Sequence, residues 1–318
     1  MGFGLGTQTP TAKKEDKGAH SSSKIELIQG DIPRYKGDRI VSMVEVVEPM
    51  VVTVIGPPGI GKSHFALTFP DPAMCDTEMK GEKIWRKFYR GNAESYKVDP
   101  TSGEVVPYKW DQSAVTPQNS RLFHSEDWGD VASFYDSYEK REDVSTLVFD
   151  SETDLREYAE LWTLNETGKA TLYGGKDAGT KPFSLVYGKL KYILLNGKKS
   201  GKHLVYTSKE KALYKNDKAT GEMGAAGYNN QHFYSGYVLH MQLGIKTKDG
   251  QILYPKHVFA KVVKAENMKP GFYPPSLIEC TFRGLVNELV RGKEWTGTDE
   301  EFVRDVVAPR MKEQGIER

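Results

Sequence analysis

Lys62 and Ser63 close the run Gly56-Pro57-Pro58-Gly59-Ile60-Gly61-Lys62-Ser63, which satisfies the pattern G-x-x-x-x-G-K-[ST] without a mismatch. The chemistry of that spacing is phosphate capture. Glycines let the backbone curl into a nest of N–H groups, because a Cβ would block either the turn or the ligand. Lys62 is then placed to reach β- and γ-phosphates, and the Ser63 hydroxyl to hold Mg²⁺. His64 follows directly and is counted with the loop as a nucleotide-contacting residue. Two acids complete the set. Asp150 ends the apolar run Thr146-Leu147-Val148-Phe149, where a carboxylate holds a magnesium shell opposite the P-loop serine. Glu78 follows Ala73-Met74-Cys75-Asp76-Thr77 and is a candidate base for activating water, or else an exposed loop acid.

These side chains need strands that end together. Val51-Val52-Thr53-Val54-Ile55 is β-branched at every position and reads as a strand buried on both faces, feeding the P-loop and a short helix over 62–68. That helix must stop before Pro70 and Pro72. Residues 73–76 form the next strand, expected near the P-loop strand in a parallel sheet, and ligands bind at the carboxyl edge of such sheets. Apolar spacing predicts helices over 127–140, 155–164 and 184–196, and a strand at 203–208. Residues 168–181 and 209–234 read as loops. Residues 236–246 and 252–266 pair across Asp249-Gly250, a strong hairpin signal. A helix is expected over 285–291, and a last one opens with a capping box at Thr298 and Glu301.

The domain plan is a tail over 1–24, a core over 25–280 with an insert at 79–125, and a helical segment over 281–318. Within the insert, Trp85, Phe88, Tyr89, Tyr96 and Trp110 read as packing residues. In 318 residues, 38% are hydrophobic and 27% charged, with a net charge of +1, so no global field points to nucleic acid or membrane. No apolar run reaches the roughly 18 residues that span a bilayer, which predicts a cytoplasmic protein without a membrane partner. Cys75 and Cys280 lack metal-ligand spacing and read as buried free thiols.

A P-loop strand, a second strand running into Asp76-Thr77-Glu78, and an apolar strand ending in Asp150-Ser151 together resemble the RecA family of ATPases. The compact phage-encoded RecA-like ATPases, some of them single-strand-annealing recombinases, are more similar still, and host cytoplasm is then the location. AAA-type motors usually carry Asp-Glu where this chain has Asp150-Ser151. The resemblance spans roughly residues 48–270. It implies an α/β P-loop NTPase core with a mainly parallel sheet, helices on both faces and an added antiparallel hairpin. It also implies Mg²⁺-dependent ATP hydrolysis with Glu78 activating the water, and a homo-oligomer, ring or filament. Residues 168–181 would be a first DNA loop. Thr207 or Ser208 stands where RecA has a glutamine sensor.

The segment Lys198 to Lys218 holds seven lysines against Glu210 and Asp217. Lys209, Lys211, Lys215 and Lys218, with Tyr214 among them, are what a single-stranded DNA contact needs, and a solvated surface loop is the other reading. By the same resemblance Lys264 is a cation acting on the neighbouring subunit's nucleotide, and a single-strand-binding protein is a further partner. A nucleotide-dependent switch or loader without DNA binding, and a helicase core, are the competing functions.

Overall fold

β1 (Val51–Ile55) is buried at every residue, and the sheet grows from both of its edges. The computed structural model describes residues 47–110, 121–168, 181–215, 218–226, 234–246, 249–266, 277–290 and 299–313, all within the unit Met43–Arg318. The expected tail, the strand pieces before residue 47, the interior of the 168–181 loop and the Thr298 cap lie outside them.

From β1 the chain passes through α1 (Lys62–Leu67) to β2 (Pro72–Asp76), and then through α2 (Glu82–Tyr89) to a small antiparallel pair, β3 (Ser95–Val98) with β4 (Val105–Tyr108). β5 (Leu122–His124), α3 (Trp128–Tyr138), β6 (Thr146–Asp150), α4 (Glu152–Thr167), α5 (Lys181–Lys199) and β7 (His203–Ser208) follow. A second pair, β8 (Glu210–Lys215) and β9 (Lys218–Ala225), precedes β10 (Tyr237–Lys246), β11 (Ile252–Ala265) and β12 (Leu277–Glu279). The eight-stranded sheet has the order β12-β11-β10-β1-β7-β6-β2-β5, parallel from β10 to β5 and antiparallel at β11 and β12.

The period-2 pleat sorts the side chains between two cores. Val52, Val54, Met74, Val148 and Val205 face one way, against Phe65 and Leu67 of α1 and Trp85 and Phe88 of α2. Val51, Ala73, Cys75, Leu147, Phe149, Leu204 and Tyr206 face the other way, against α3, α4 and α5. Helices therefore cover both faces, which is why these strands read as continuous apolar runs. Trp85, Phe88, Tyr96 and Trp110 belong to the first core.

The structure refines three local expectations. β2 lies in the same parallel sheet as β1 but two strands away, with β7 and β6 between them, because the β1–α1–β2 crossover skips two positions that later strands fill. Residues 209–234 are not one loop, since 210–225 pair as the β8–β9 hairpin. Leu122, Phe123 and His124, placed in the insert, extend the central sheet alongside Met74, Cys75 and Asp76. Beyond β12, Phe282–Gly284 and the π-helical Leu285–Val290 return to the first core, while Phe302, Val303 and Val307 cover Ile245, Tyr254 and Phe259 on the far part of the hairpin. Both cysteines are free.

His203 opens β7 between the rings of Phe69 and Phe282, and its Nδ1 accepts the Met50 N–H at 3.2 Å. Burial pushes its pKa down to about 4, against about 6.5 in an unfolded chain. The neutral ring thus stabilises the fold above pH 6.5, and that contribution is lost as pH falls toward 4. Denaturant midpoints measured between pH 7.5 and 4.5 are expected to fall, with a slope from this group approaching about 1.4 kcal/mol per pH unit. His203→Asn, whose amide oxygen can accept the same N–H, should flatten the slope; an equal slope in the variant would exclude the ring as its source.

Candidate active site

The glycines of the loop serve different needs. Gly59 and Gly61 sit at φ +78° and +104°, which L side chains rarely adopt. Gly56 is needed for room, since a Cβ there would lie 3.2 Å from the Met241 Cβ and 3.3 Å from its carbonyl oxygen. Gly61 also precedes α1 without any side-chain cap, so the first amides of the helix remain open to an anion. Lys62 folds back over the loop, its Nζ donating to the carbonyls of Gly56 at 2.8 Å and Pro57 at 3.0 Å. Burial lowers its pKa, opposed by the charges of Asp150, Glu78 and Glu210. Ile60 packs against the first core, Pro58 is exposed, and the His64 ring sits 5.0 Å from that of Phe88.

Parallel pairing brings Asp76, Asp150 and Thr207 into line across β2, β6 and β7, one strand away from the end of β1. Ser63 Oγ donates to Asp150 Oδ2 at 2.5 Å, and Thr207 Oγ1 donates to Oδ1 of the same carboxylate. Burial pushes the Asp150 carboxyl up from its ordinary value, and the two hydroxyl donors pull it back. Ser208 Oγ donates to Glu152 Oε2 at 3.0 Å. The two sensor candidates are thus distinguished: Thr207, not Ser208, touches Asp150.

Glu78 emerges next to Asp150 because the end of β2 is laced to the end of β6. The Thr77 amide donates to the Asp150 carbonyl at 2.7 Å, and Thr77 Oγ1 accepts the Ser151 N–H at 2.8 Å. The Glu78 charge acts on both Lys62 and Asp150, and Lys209 Nζ stands 3.3 Å from its Oε1. Lys62, Ser63, Asp150 and Glu78 therefore share one cleft.

The remaining expected site residues divide between this cleft and other places. Lys209, expected as a DNA contact, donates to Asp154 Oδ1 at 2.7 Å and pairs with Glu78 at 3.3 Å, so its ammonium is held by two acids at the cleft. Lys211, Tyr214, Lys215 and Lys218 fall on the β8–β9 pair, with Lys215 opposite Lys218 at its far end and Lys218 exposed. Lys264 pairs with Val238 near the start of β10 and donates to the Ser235 carbonyl at 2.6 Å, whereas His240 aligns with Ile55 at the P-loop end. Lys264 thus does not enter its own chain's cleft.

Sequence reasoning missed Glu152, Asp154, Glu210 and His240. The alternation Asp150, Glu152, Asp154 was the available signal, but it reads equally as the acidic first turn of a helix. Among the described residues no three His, Cys, Asp or Glu side chains form a metal cage. The donor set of one buried carboxylate and one serine hydroxyl suits Mg²⁺, which prefers few protein oxygens and takes the rest from phosphate and water.

Fold and cleft together define a P-loop nucleotide-binding domain. A family model described as an AAA domain matches residues 48–231, more than half of the 318, and the chain belongs to that family. No curated protein matches it. Among solved structures, the crystal structure of the RadB recombinase aligns over 74% of this chain and 90% of its own, at 15% identity and a TM-score of 0.39. No helix among the described residues is long and apolar enough to cross a membrane.

A carboxylate as buried as Asp150 is destabilising while it carries its charge without a cation. Asp150→Asn should therefore raise the midpoint of thermal unfolding of the ligand-free protein at pH 8. The advantage closes below about pH 4, where the acid is protonated in both states. A lower midpoint at pH 8, read by differential scanning fluorimetry, would contradict this account of the charge.

Proposed function

We propose that the protein is a Mg²⁺-dependent ATPase of RecA type that couples hydrolysis to single-stranded DNA. The observation that carries the reading is the convergence of Glu78 and Asp150, from adjacent strands, on the P-loop cleft. Lys62 and the loop amides hold the triphosphate, and Ser63 with Asp150 holds the metal. Bound there, Mg²⁺ neutralises charge on the β- and γ-phosphate oxygens. Glu78 orients a water and accepts its proton as the water oxygen bonds to the γ-phosphorus. The bond from that phosphorus to the β–γ bridging oxygen breaks, and ADP and inorganic phosphate leave.

The β8–β9 pair is the element assigned to DNA, through Lys211, Lys215, Lys218 and Tyr214, with residues 168–181 as a second contact. The working form is a head-to-tail homo-oligomer in which Lys264 serves the neighbouring subunit, with a single-strand-binding protein as a further partner. One observation favours a nucleotide-dependent switch or loader instead: Lys209, at the root of the hairpin, is engaged by the chain's own acids, Asp154 and Glu78.

Lys62→Ala should abolish hydrolysis by removing the phosphate cation. Glu78→Gln should keep ATP binding while lowering kcat by about a hundredfold or more; turnover retained in this variant would show the base misassigned. ATPase rates with and without single-stranded DNA, at several salt concentrations, separate the two functions. The DNA reading expects stimulation and an affinity that falls with a log-log slope of about −0.7 per phosphate contact. No stimulation and no binding at low salt would favour the switch.

A further inference from the structure

Lys209 lies where β7 hands over to the β8–β9 hairpin, and all parts of the residue are engaged. Its backbone N–H donates to Thr153 Oγ1 at 3.1 Å, at the start of α4. Its carbonyl accepts the Ala226 N–H at 2.7 Å, which closes the root of the hairpin. The ammonium bridges Asp154 Oδ1 at 2.7 Å and Glu78 Oε1 at 3.3 Å.

The two acids are not equivalent partners. Asp154 is itself fixed, accepting from Ser151 Oγ at 2.7 Å and Thr77 Oγ1 at 3.3 Å. Glu78 follows Thr77, the laced residue just beyond β2, and its other ion-pair partner, Lys80, is more distant at 3.7 Å and sits on a side chain that is 81% exposed. An anchored cation beside a loosely held carboxylate sets where the carboxylate points. Burial pulls the pKa of Lys209 down, but the hydrogen bond and charge of Asp154 together with the charge of Glu78 more than offset this, so the ammonium keeps its proton.

We propose that Lys209 is the positioning residue for Glu78. Anchored on Asp154, its ammonium holds the carboxylate toward the cleft, and because the same residue closes the hairpin, a ligand that shifts β8–β9 moves the catalytic acid. The inference rests on the hydrolase reading above and adds the device by which the hairpin addresses that chemistry. The polar end of β7 then signals through two residues: Thr207 reports on Asp150, and Lys209 acts on Glu78.

The test is steady-state ATP hydrolysis by the full chain carrying Lys209→Met or Lys209→Arg, each with Glu78 intact and with Glu78→Gln. Thermal melting serves as the folding control. With Glu78 intact, Lys209→Met should lower kcat about tenfold, as small misplacements of a reacting group do, with KM for ATP unchanged within twofold. Lys209→Arg should recover at least half of the rate. In the Glu78→Gln background, Lys209→Met should cost less than a further twofold, because a residue acting through Glu78 has nothing left to position.

A kcat within twofold of wild type, a loss carried by KM, or a full tenfold loss persisting without Glu78 would each overturn the inference. Should Lys209→Met melt early, Lys209→Gln carries the same comparison. A wild-type chain with no turnover overturns the hydrolase reading and this inference with it, whereas the three outcomes just named overturn the inference alone.

Discussion

One buried carboxylate organises the carboxyl edge of this sheet. Asp150 is 7% exposed, and it receives hydroxyls from Ser63 on α1 and from Thr207 on β7. Those two donors come from opposite directions in sequence and fix the P-loop helix and the neighbouring strand to the end of β6. Two hydroxyls do not repay the desolvation of a full charge, and Glu78 and Asp76 add like charge nearby. The edge is thus an incompletely neutralised pocket that a divalent cation would complete. This is the arrangement expected where function has been placed ahead of local stability.

Getting those groups to one edge is a matter of topology. Each parallel strand must return by a crossover, so the chain cannot lay its strands down in spatial order. Here β2 lands two places from β1, and β6 and β7 fill the gap. The strand carrying Asp150 therefore ends with the Glu78 strand on one side and the Thr207 strand on the other. The side-chain pleat does the remaining work. Val148 and Val205 fall on one face, and Phe149 stacks on Tyr206 on the other at 5.1 Å between ring centroids, so the ends are held in register by two cores at once.

What could be read from sequence divides along the range of the interactions. β1, the P-loop and β6 were legible because continuous apolar runs and fixed glycine spacing are local signals. The period and the two proline stops gave the short α1 as well. Glu78 was only half legible: its place after a strand was visible, but its nearness to Asp150 depends on Thr77 meeting Asp150 and Ser151, residues more than seventy positions away. The β8–β9 hairpin was missed because residues 210–225 carry glycines, lysines and exposed apolar side chains and lack one clean apolar face. The position of β2 and the attachment of β5 were illegible for the same reason as any sheet order, since they are set by crossovers and not by composition.

The end of β7 shows what charge counting leaves open about its lysines. An excess of positive charge along a segment says only that counter-charge must come from somewhere, whether phosphates, solvent or the protein's own acids. Consecutive residues there take consecutive partners: Thr207 takes Asp150, Ser208 takes Glu152, Lys209 takes Asp154 and Glu78, and Glu210 takes His240. A strand end that spends every side chain on its neighbours cannot also present them to a ligand. The separation comes at the far end of the β8–β9 pair, where Lys218 is exposed. The same stretch of lysines therefore divides into a root bound into the cleft and a tip that faces outward, and any coupling between the two must pass through the backbone that joins them.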